Sequence, residues 1–382
     1  MEQRWVRPAD LGVSFEADGA LLVRAPVRGV GARVPPVAVG VLAFCTEPRS
    51  EGEVAAAMGT QAVGLFRALA QAELLVPPGQ QDATPAFFEN FASLDVHRRM
   101  LADAPRVDGY AAAIEALVEP GMVVLDAGTG SGVLAALAAR KGARVYAVDN
   151  SDAVRWAEGT MEASGLADRV TVLRGDVATI ELPEPVDLIV TETFGALALA
   201  EGAINDLARC AERLLAQGGR VVPDRIDFFV AAVTDPAVRE EVFGPFTRLE
   251  GIDFGPLVQA ARHRAVTLEV PAAALGGEGA AIARHAFPAG GDAVQGEVVL
   301  RSDAPIVGLC AWYDLQLAPG VTLSTAPDAP PTHWGQCFLP LAEPVAPGEH
   351  ALSVRIEPAR DDRRSCEVTV EGDAMRGVWR VR

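Results

Sequence analysis

No stretch of this chain is long and apolar enough to cross a membrane. Half of the 382 residues are hydrophobic, but Gly, Arg or Asp interrupts every run short of the roughly 18 residues that a spanning helix requires. The opening Met1-Glu-Gln-Arg-Trp-Val-Arg-Pro8 has no secretory apolar core, so a soluble, cytoplasmic protein is expected. Cysteine is sparse. Cys45, Cys210, Cys310, Cys337 and Cys366 form no Cys-x-x-Cys pair and have no His cluster nearby, which argues against a structural zinc site or a disulfide frame, and no metal is expected. Cationic charge is short as well: 33 basic residues face 51 acidic ones, for a net charge of -18, and Lys141 is the only lysine. That balance argues against a general nucleic-acid binder, which must neutralise phosphates, and suits a cationic partner drawn in by long-range attraction.

What is present divides the chain into three parts. Residues 1–80 read as a small domain, with strand-like patches at 11–26 and helix-sized segments at 35–45, 50–58 and 61–75. In the last segment Val63, Phe66, Leu69 and Ala70 recur at the spacing of one buried helical face. Ser50 precedes Glu53 at capping-box spacing. Strands with three short helices give a winged-helix outline, whose usual reading is DNA binding, yet residues 1–80 carry seven Arg and no Lys against eight acids. Residues 77–85 read as a linker, and 86–104 as a helix. From Val123 strands and helices alternate at 123–126, 132–140, 145–149, 153–163, 170–173 and 188–190, the order of a parallel sheet covered by helices. After Pro223, short alternating segments at 264–270, 294–301, 306–317, 350–356 and 365–371 read as an all-β barrel or sandwich.

Asp126-Ala-Gly128-Thr-Gly130-Ser-Gly132 follows a strand and opens a helix, and Asp149 ends the next strand. Such glycines permit a tight turn and let a ligand lie on the backbone, while a carboxylate at that strand end can bind ribose hydroxyls. Gly130-x-Gly132-x-x-Ala135 also satisfies a dinucleotide pattern, so this motif alone leaves NAD chemistry open. Glu192 and Glu201 lie nine positions apart in an otherwise apolar segment. Burying unpaired charge is costly, so two carboxylates there imply a task, such as holding a cationic nitrogen nucleophile and removing its proton.

These motifs, with Phe87-Phe-Glu-Asn-Phe91, His97-Arg-Arg-Met100-Leu-Ala-Asp103-Ala-Pro-Arg106 and Thr332-His333-Trp334, resemble the protein arginine methyltransferase family over residues 86–382. The resemblance implies an α/β, Rossmann-like class I methyltransferase core of the seven-stranded type (86–223), a C-terminal β-barrel substrate domain (224–382), and S-adenosylmethionine as methyl donor. It implies that His97 and Met100 lie against the cofactor and that Arg106 grips its carboxylate. Asp126, Gly128 and Gly130 would form its turn, Asp149 would hold the ribose, and Asp176 and Val177 would flank the adenine. Glu192 and Glu201 match the family's catalytic glutamates. His333 would pair with Asp103 and relay the proton, and Phe87, Phe91 and Trp334 would line the substrate pocket. Residues 248–256 resemble the arm with which the family builds its homodimer. Three departures stand against the pattern. Phe87 and Phe91 replace tyrosines, Thr193-Phe-Gly-Ala196 replaces a bulkier Trp-Met-Gly-Tyr run, and Ala203 replaces a methionine. The pocket is expected to be wider, with fewer polar partners for a planar guanidinium.

Residues 1–80 also resemble the PqqD-like winged-helix element of ribosomal-peptide (RiPP) tailoring enzymes, in Val41-Leu-Ala-Phe-Cys45, Glu53-Val-Ala-Ala56 and Leu74-Leu75. That resemblance implies a peptide-recognition domain to which a leader peptide adds as a strand. The combined expectation is an N-methyltransferase acting on an amine or guanidine nitrogen of a precursor peptide. A protein arginine methyltransferase acting on cellular proteins is the alternative. A DNA-binding regulator with a degenerate methyltransferase fold is a third reading, opposed by the intact glycines, Asp149 and both glutamates.

Overall fold

A computed structural model describes residues 3–8, 11–15, 21–25, 30–78, 93–195, 197–199, 202–246, 250, 252–291, 293–359 and 365–381. The chain falls into two units, Met1–Ser93 and Leu94–Arg382.

The first unit runs β1 (Arg4–Trp5), then β2 (Gly12–Phe15), β3 (Leu21–Ala25) and β4 (Val30–Val34), then α1 (Ala38–Phe44), β5 (Arg49–Ser50), α2 (Glu51–Met58) and α3 (Thr60–Gln71). β2, β3 and β4 form an antiparallel meander with β3 in the middle, and β1 pairs with β5. Alternate residues of β3, Leu21, Val23 and Ala25, share one buried core with Val41, Leu42, Val54, Phe66 and Leu69 of the helices. The strand's period of 2 and the helices' period of 3.6 allow this packing. At the start of α2 the Ser50 hydroxyl accepts from Glu53 N, and the Glu53 carboxylate accepts from Ser50 N, the reciprocal pairing that the spacing predicts.

The second unit opens with α4 (Leu94–Ala102) and α5 (Ala104–Leu117). It then alternates through β6 (Val123–Ala127), α6 (Val133–Arg140), β7 (Arg144–Asp149), α7 (Val154–Ala163), β8 (Val170–Arg174), β9 (Val186–Thr191), α8 (Ala203–Leu214) and β10 (Leu215–Val222). The five strands lie parallel in the order β10-β9-β6-β7-β8. Every residue of the central β6 is buried, as expected of a parallel strand covered on both faces. The chain winds outward from β6 in one direction through β7 and β8, then in the other through β9 and β10. The crevice at the carboxyl ends of β6 and β9 is therefore the switch point where such sheets bind ligands. The described sheet has five strands where the seven-stranded type was expected. After β10 the chain leaves through Pro223 and enters the second domain instead of extending the sheet.

That domain comprises β11 (Arg225–Val233), α9 (Pro236–Phe243), α10 (Gly255–Ala261), β12 (Val266–Leu268), β13 (Ala280–Ala286), β14 (Val294–Ser302), β15 (Ile306–Ala318), β16 (Val321–Ser324), β17 (Gln336–Val345), β18 (Gly348–Pro358), β19 (Cys366–Gly372) and β20 (Arg376–Val381). Two antiparallel sheets form the barrel, β12-β17-β15-β11-β13 with β16 on β15, and β14-β18-β19-β20. Its buried side chains join those around the parallel sheet in one core, in which Tyr110, Val190, Phe194, Tyr313 and Trp334 share membership. No helix among the described residues is long and apolar enough to cross a membrane.

Candidate active site

The loop between β6 and α6 turns on three glycines of positive φ, Gly128 (82°), Gly130 (52°) and Gly132 (86°). A Cβ at Gly128 would come within 2.3 Å of the Thr193 methyl, and one at Gly130 within 3.1 Å of the His97 ring. Bare backbone therefore lines this turn. Gly130 N donates to Asp149 Oδ2 (2.9 Å) at the end of β7, and Asp149 Oδ1 accepts from Ser151 N (2.8 Å) and Oγ (2.7 Å).

Asp126 departs from its expected place beside the cofactor. It is fully buried beneath the loop, where Oδ2 accepts from Thr129 Oγ1 (2.7 Å) and Ala135 N (2.9 Å). It shapes the turn through these two bonds. Oδ1 has no hydrogen-bonding partner among the described residues, and burial pushes the carboxyl from its ordinary 3.8 up to about 7. The folded state thus holds a proton that the unfolded state releases, so the stabilisation is complete below about pH 4 and is lost as pH rises through 7. Between pH 5 and 8 the wild type should lose roughly 2–3 kcal/mol relative to Asp126→Asn, which keeps an acceptor oxygen but does not titrate. Urea unfolding of both proteins at the two pH values measures this, and parallel pH dependences would refute it.

Asp103 caps α5, its Oδ1 accepting from Arg106 N (3.1 Å). Its Oδ2 accepts from His333 N (2.8 Å) and lies 2.7 Å from His333 Nδ1. One turn into the helix, Arg106 donates from Nη1 to Met100 O (3.0 Å), and its Nε and Nη2 grip Glu192. The Arg106 and Glu192 side chains are only 5% and 4% exposed. Burial raises the Glu192 carboxyl above its ordinary range, against the opposing pull of Arg106 and His333. A narrow cleft is lined by Met100, Arg106, Gly128, Gly130, Val133 and Glu192, among others. Residues expected at the cofactor thus meet around Glu192. Arg106, assigned from sequence to the cofactor's carboxylate, is ion-paired to Glu192.

The remaining expectations fall in several places. Phe87, Phe91 and Glu201 lie outside the described residues. Asp176 is exposed, and its Oδ1 accepts from Ala178 N (2.8 Å) in a turn after β8. Val177 is half-buried and packs on the core cluster around Leu207. Trp334 is the residue expected to wall the substrate pocket. It is buried, its Nε1 donates to Phe194 O (2.6 Å), and its ring lies edge-on to Tyr313. Two residues escaped the sequence reading: Tyr110, whose hydroxyl donates to Thr191 O (2.8 Å), and Thr191, whose Oγ1 donates to Ala127 O (2.7 Å). A tyrosine on the apolar face of a helix was the available signal, since a buried phenol needs a partner.

A parallel sheet with a glycine cradle at its switch point, an acid ending the second strand, and a buried cation in the same cleft fit the glycine backbone, ribose and carboxylate contacts of S-adenosylmethionine. They define a class I methyltransferase dependent on that cofactor. The sequence matches a methyltransferase domain over residues 124–219 and an arginine methyltransferase oligomerization subdomain over 224–374. It is similar to the probable protein arginine N-methyltransferase 6 of Arabidopsis thaliana, at 27% identity over 77% of this chain and 80% of the relative. It is also similar to the ribosomal protein arginine N-methyltransferase rmt3 of Schizosaccharomyces pombe, at 29% identity over 70% of this chain and 53% of the relative. Among solved structures it resembles the Trypanosoma brucei PRMT1 enzyme-prozyme heterotetrameric complex with AdoHcy, with TM-score 0.71 and 26% identity over 77% of this chain and 100% of that one. Over its methyltransferase and barrel domains the chain belongs to the protein arginine methyltransferase family, and it is an S-adenosylmethionine-dependent N-methyltransferase.

Proposed function

We propose that the protein methylates a guanidine nitrogen of arginine in a protein or peptide. The observation that carries this reading is the Glu192 carboxylate, held almost out of solvent at the cleft that contains the glycine turn and Arg106. The relatives reported above are named for arginine and give no support to a precursor-peptide substrate, so the alternative reading from sequence takes first place. When bound, the cofactor supplies an electrophilic methyl group on a sulfonium sulfur. Arg106 would hold its carboxylate, Asp149 its ribose, and His97 and Met100 its flank. Glu192, with Glu201 nine positions on, would accept guanidinium N–H groups, fix the plane of the group and concentrate its positive charge away from the attacking nitrogen. As the N–C bond forms and the S–C bond breaks, that nitrogen would lose a proton, which His333, held by Asp103, would carry off. Alignment of nitrogen, methyl and sulfur would supply much of the acceleration. Mass spectrometry of an arginine peptide and its lysine counterpart tests the assignment. Methyl on the guanidine is expected, and methyl on the alkyl amine alone would overturn it.

We also propose three working domains, 1–80, 86–223 and 224–382, with residues 248–256 as the arm of a homodimer and 1–80 as a peptide-recognition domain. In support of the last, β2 and β4 each pair only with β3 among the described residues, leaving two sheet edges to which an extended peptide can add a strand. Deleting residues 1–80 should then raise KM for a long substrate and leave kcat/KM for a short arginine peptide unchanged, because only the long one uses remote contacts. Equal loss on both would exclude that role.

A further inference from the structure

The segment that carries Glu192 runs past the end of its sheet. β9 pairs with β6 as far as Thr191 and Ala127, and beyond that point no strand ladder among the described residues takes up the backbone carbonyls. A buried carbonyl still needs a donor. Aromatic side chains from other elements supply them: Tyr110 Oη of α5 donates to Thr191 O (2.8 Å), Trp334 Nε1 to Phe194 O (2.6 Å), and Tyr313 Oη of β15 to Gly195 O (3.4 Å). Glu192 is thereby pinned on both sides of its own Cα.

Trp334 has a second connection. Its neighbour His333 is bound through backbone and ring to Asp103, the cap of the helix that carries Arg106. Contacts therefore run in a closed circuit from Asp103 to His333, along the chain to Trp334, across to Phe194, back to Glu192, and through the ion pair to Arg106. We infer that Trp334 is a positioning residue for Glu192, acting through the Phe194 carbonyl, and that the His333–Trp334 dipeptide is the strut by which the barrel sets Glu192 against Arg106. Trp and Tyr suit such a task because each offers a single donor on a rigid ring with few rotatable bonds. The role of Glu192 in this inference rests on the function proposed above.

Trp334→Phe keeps an aromatic ring, removes the indole N–H bond to the loop and gives up some buried volume. Its kcat on an arginine peptide should fall about 100-fold, the scale of a misplacement near 1 Å, with unchanged affinity for S-adenosylhomocysteine. Tyr110→Phe, a smaller change, should give the same split in weaker form and carries the test if Trp334→Phe does not fold. A cycle that requires no substrate separates positioning from simple support. In a Glu192→Gln background either substitution should shift the denaturation midpoint clearly less than in the wild type, because the ion pair it disturbs is already gone. Strictly additive midpoint shifts, or loss of cofactor affinity in step with kcat, would overturn the inference. If the wild type transfers no methyl to arginine, the substrate proposal fails, while the cycle still decides the positioning.

Discussion

Glu192→Gln should lower kcat for an arginine peptide by about 1,000-fold, within the range that a positioned acid–base group contributes. Binding of S-adenosylhomocysteine should remain close to that of the wild type. The expectation rests on position: the carboxylate is buried, shares its cleft with the glycine turn, and is pinned at both ends of its segment. Glutamine keeps the shape and one acceptor oxygen but cannot concentrate a cation's charge. Methyl-transfer rates measured alongside calorimetry separate the two effects, and a kcat within tenfold of wild type would remove Glu192 from the chemistry.

Arg106→Ala should produce the largest loss of stability, about 3–5 kcal/mol, because it strands the Glu192 carboxylate in the interior without a counter-ion. The same change should weaken the cofactor, whose carboxylate needs a bidentate cation. The two effects can be told apart. Adding Glu192→Gln to Arg106→Ala should recover much of the stability, since a neutral amide does not require a guanidinium, and should recover none of the cofactor affinity. Recovery of both, or of neither, would mean that Arg106 does not divide its charge between these two tasks.

The sequence disclosed those parts whose signal is local. The glycine turn, the alternation from β6 to β9 and the Ser50 capping box depend on turn chemistry and periodicity within a few residues. β11 and β17 were less visible. Arg225–Val233 is a nearly continuous apolar run, because the strand is buried at most positions, and such a run has no alternation to read. Gln336–Val345 contains Pro340, which demotes a strand by rule, yet that proline pairs with Gly308 beside a register shift. In the site, residue types were legible and their facing was not. Asp126 is buried beneath the turn, the Trp334 indole bonds the Phe194 carbonyl, and Arg106 meets a glutamate 86 positions away. Only tertiary packing determines these.

The strut between barrel and loop also imposes an order in time. Trp334 follows its partner Phe194 by 140 positions, and His333 follows Asp103 by 230. At translation rates of about 5–20 residues per second, the ribosome takes roughly 7–28 s to pass from the first of these partners to the other on the Trp334 side. During that interval the nascent chain can complete its glycine turn but has no donor for the Phe194 carbonyl. A growing or prematurely terminated chain would therefore have a cofactor-binding turn without a fixed carboxylate beside it, and methyl transfer would begin only once the barrel has been made.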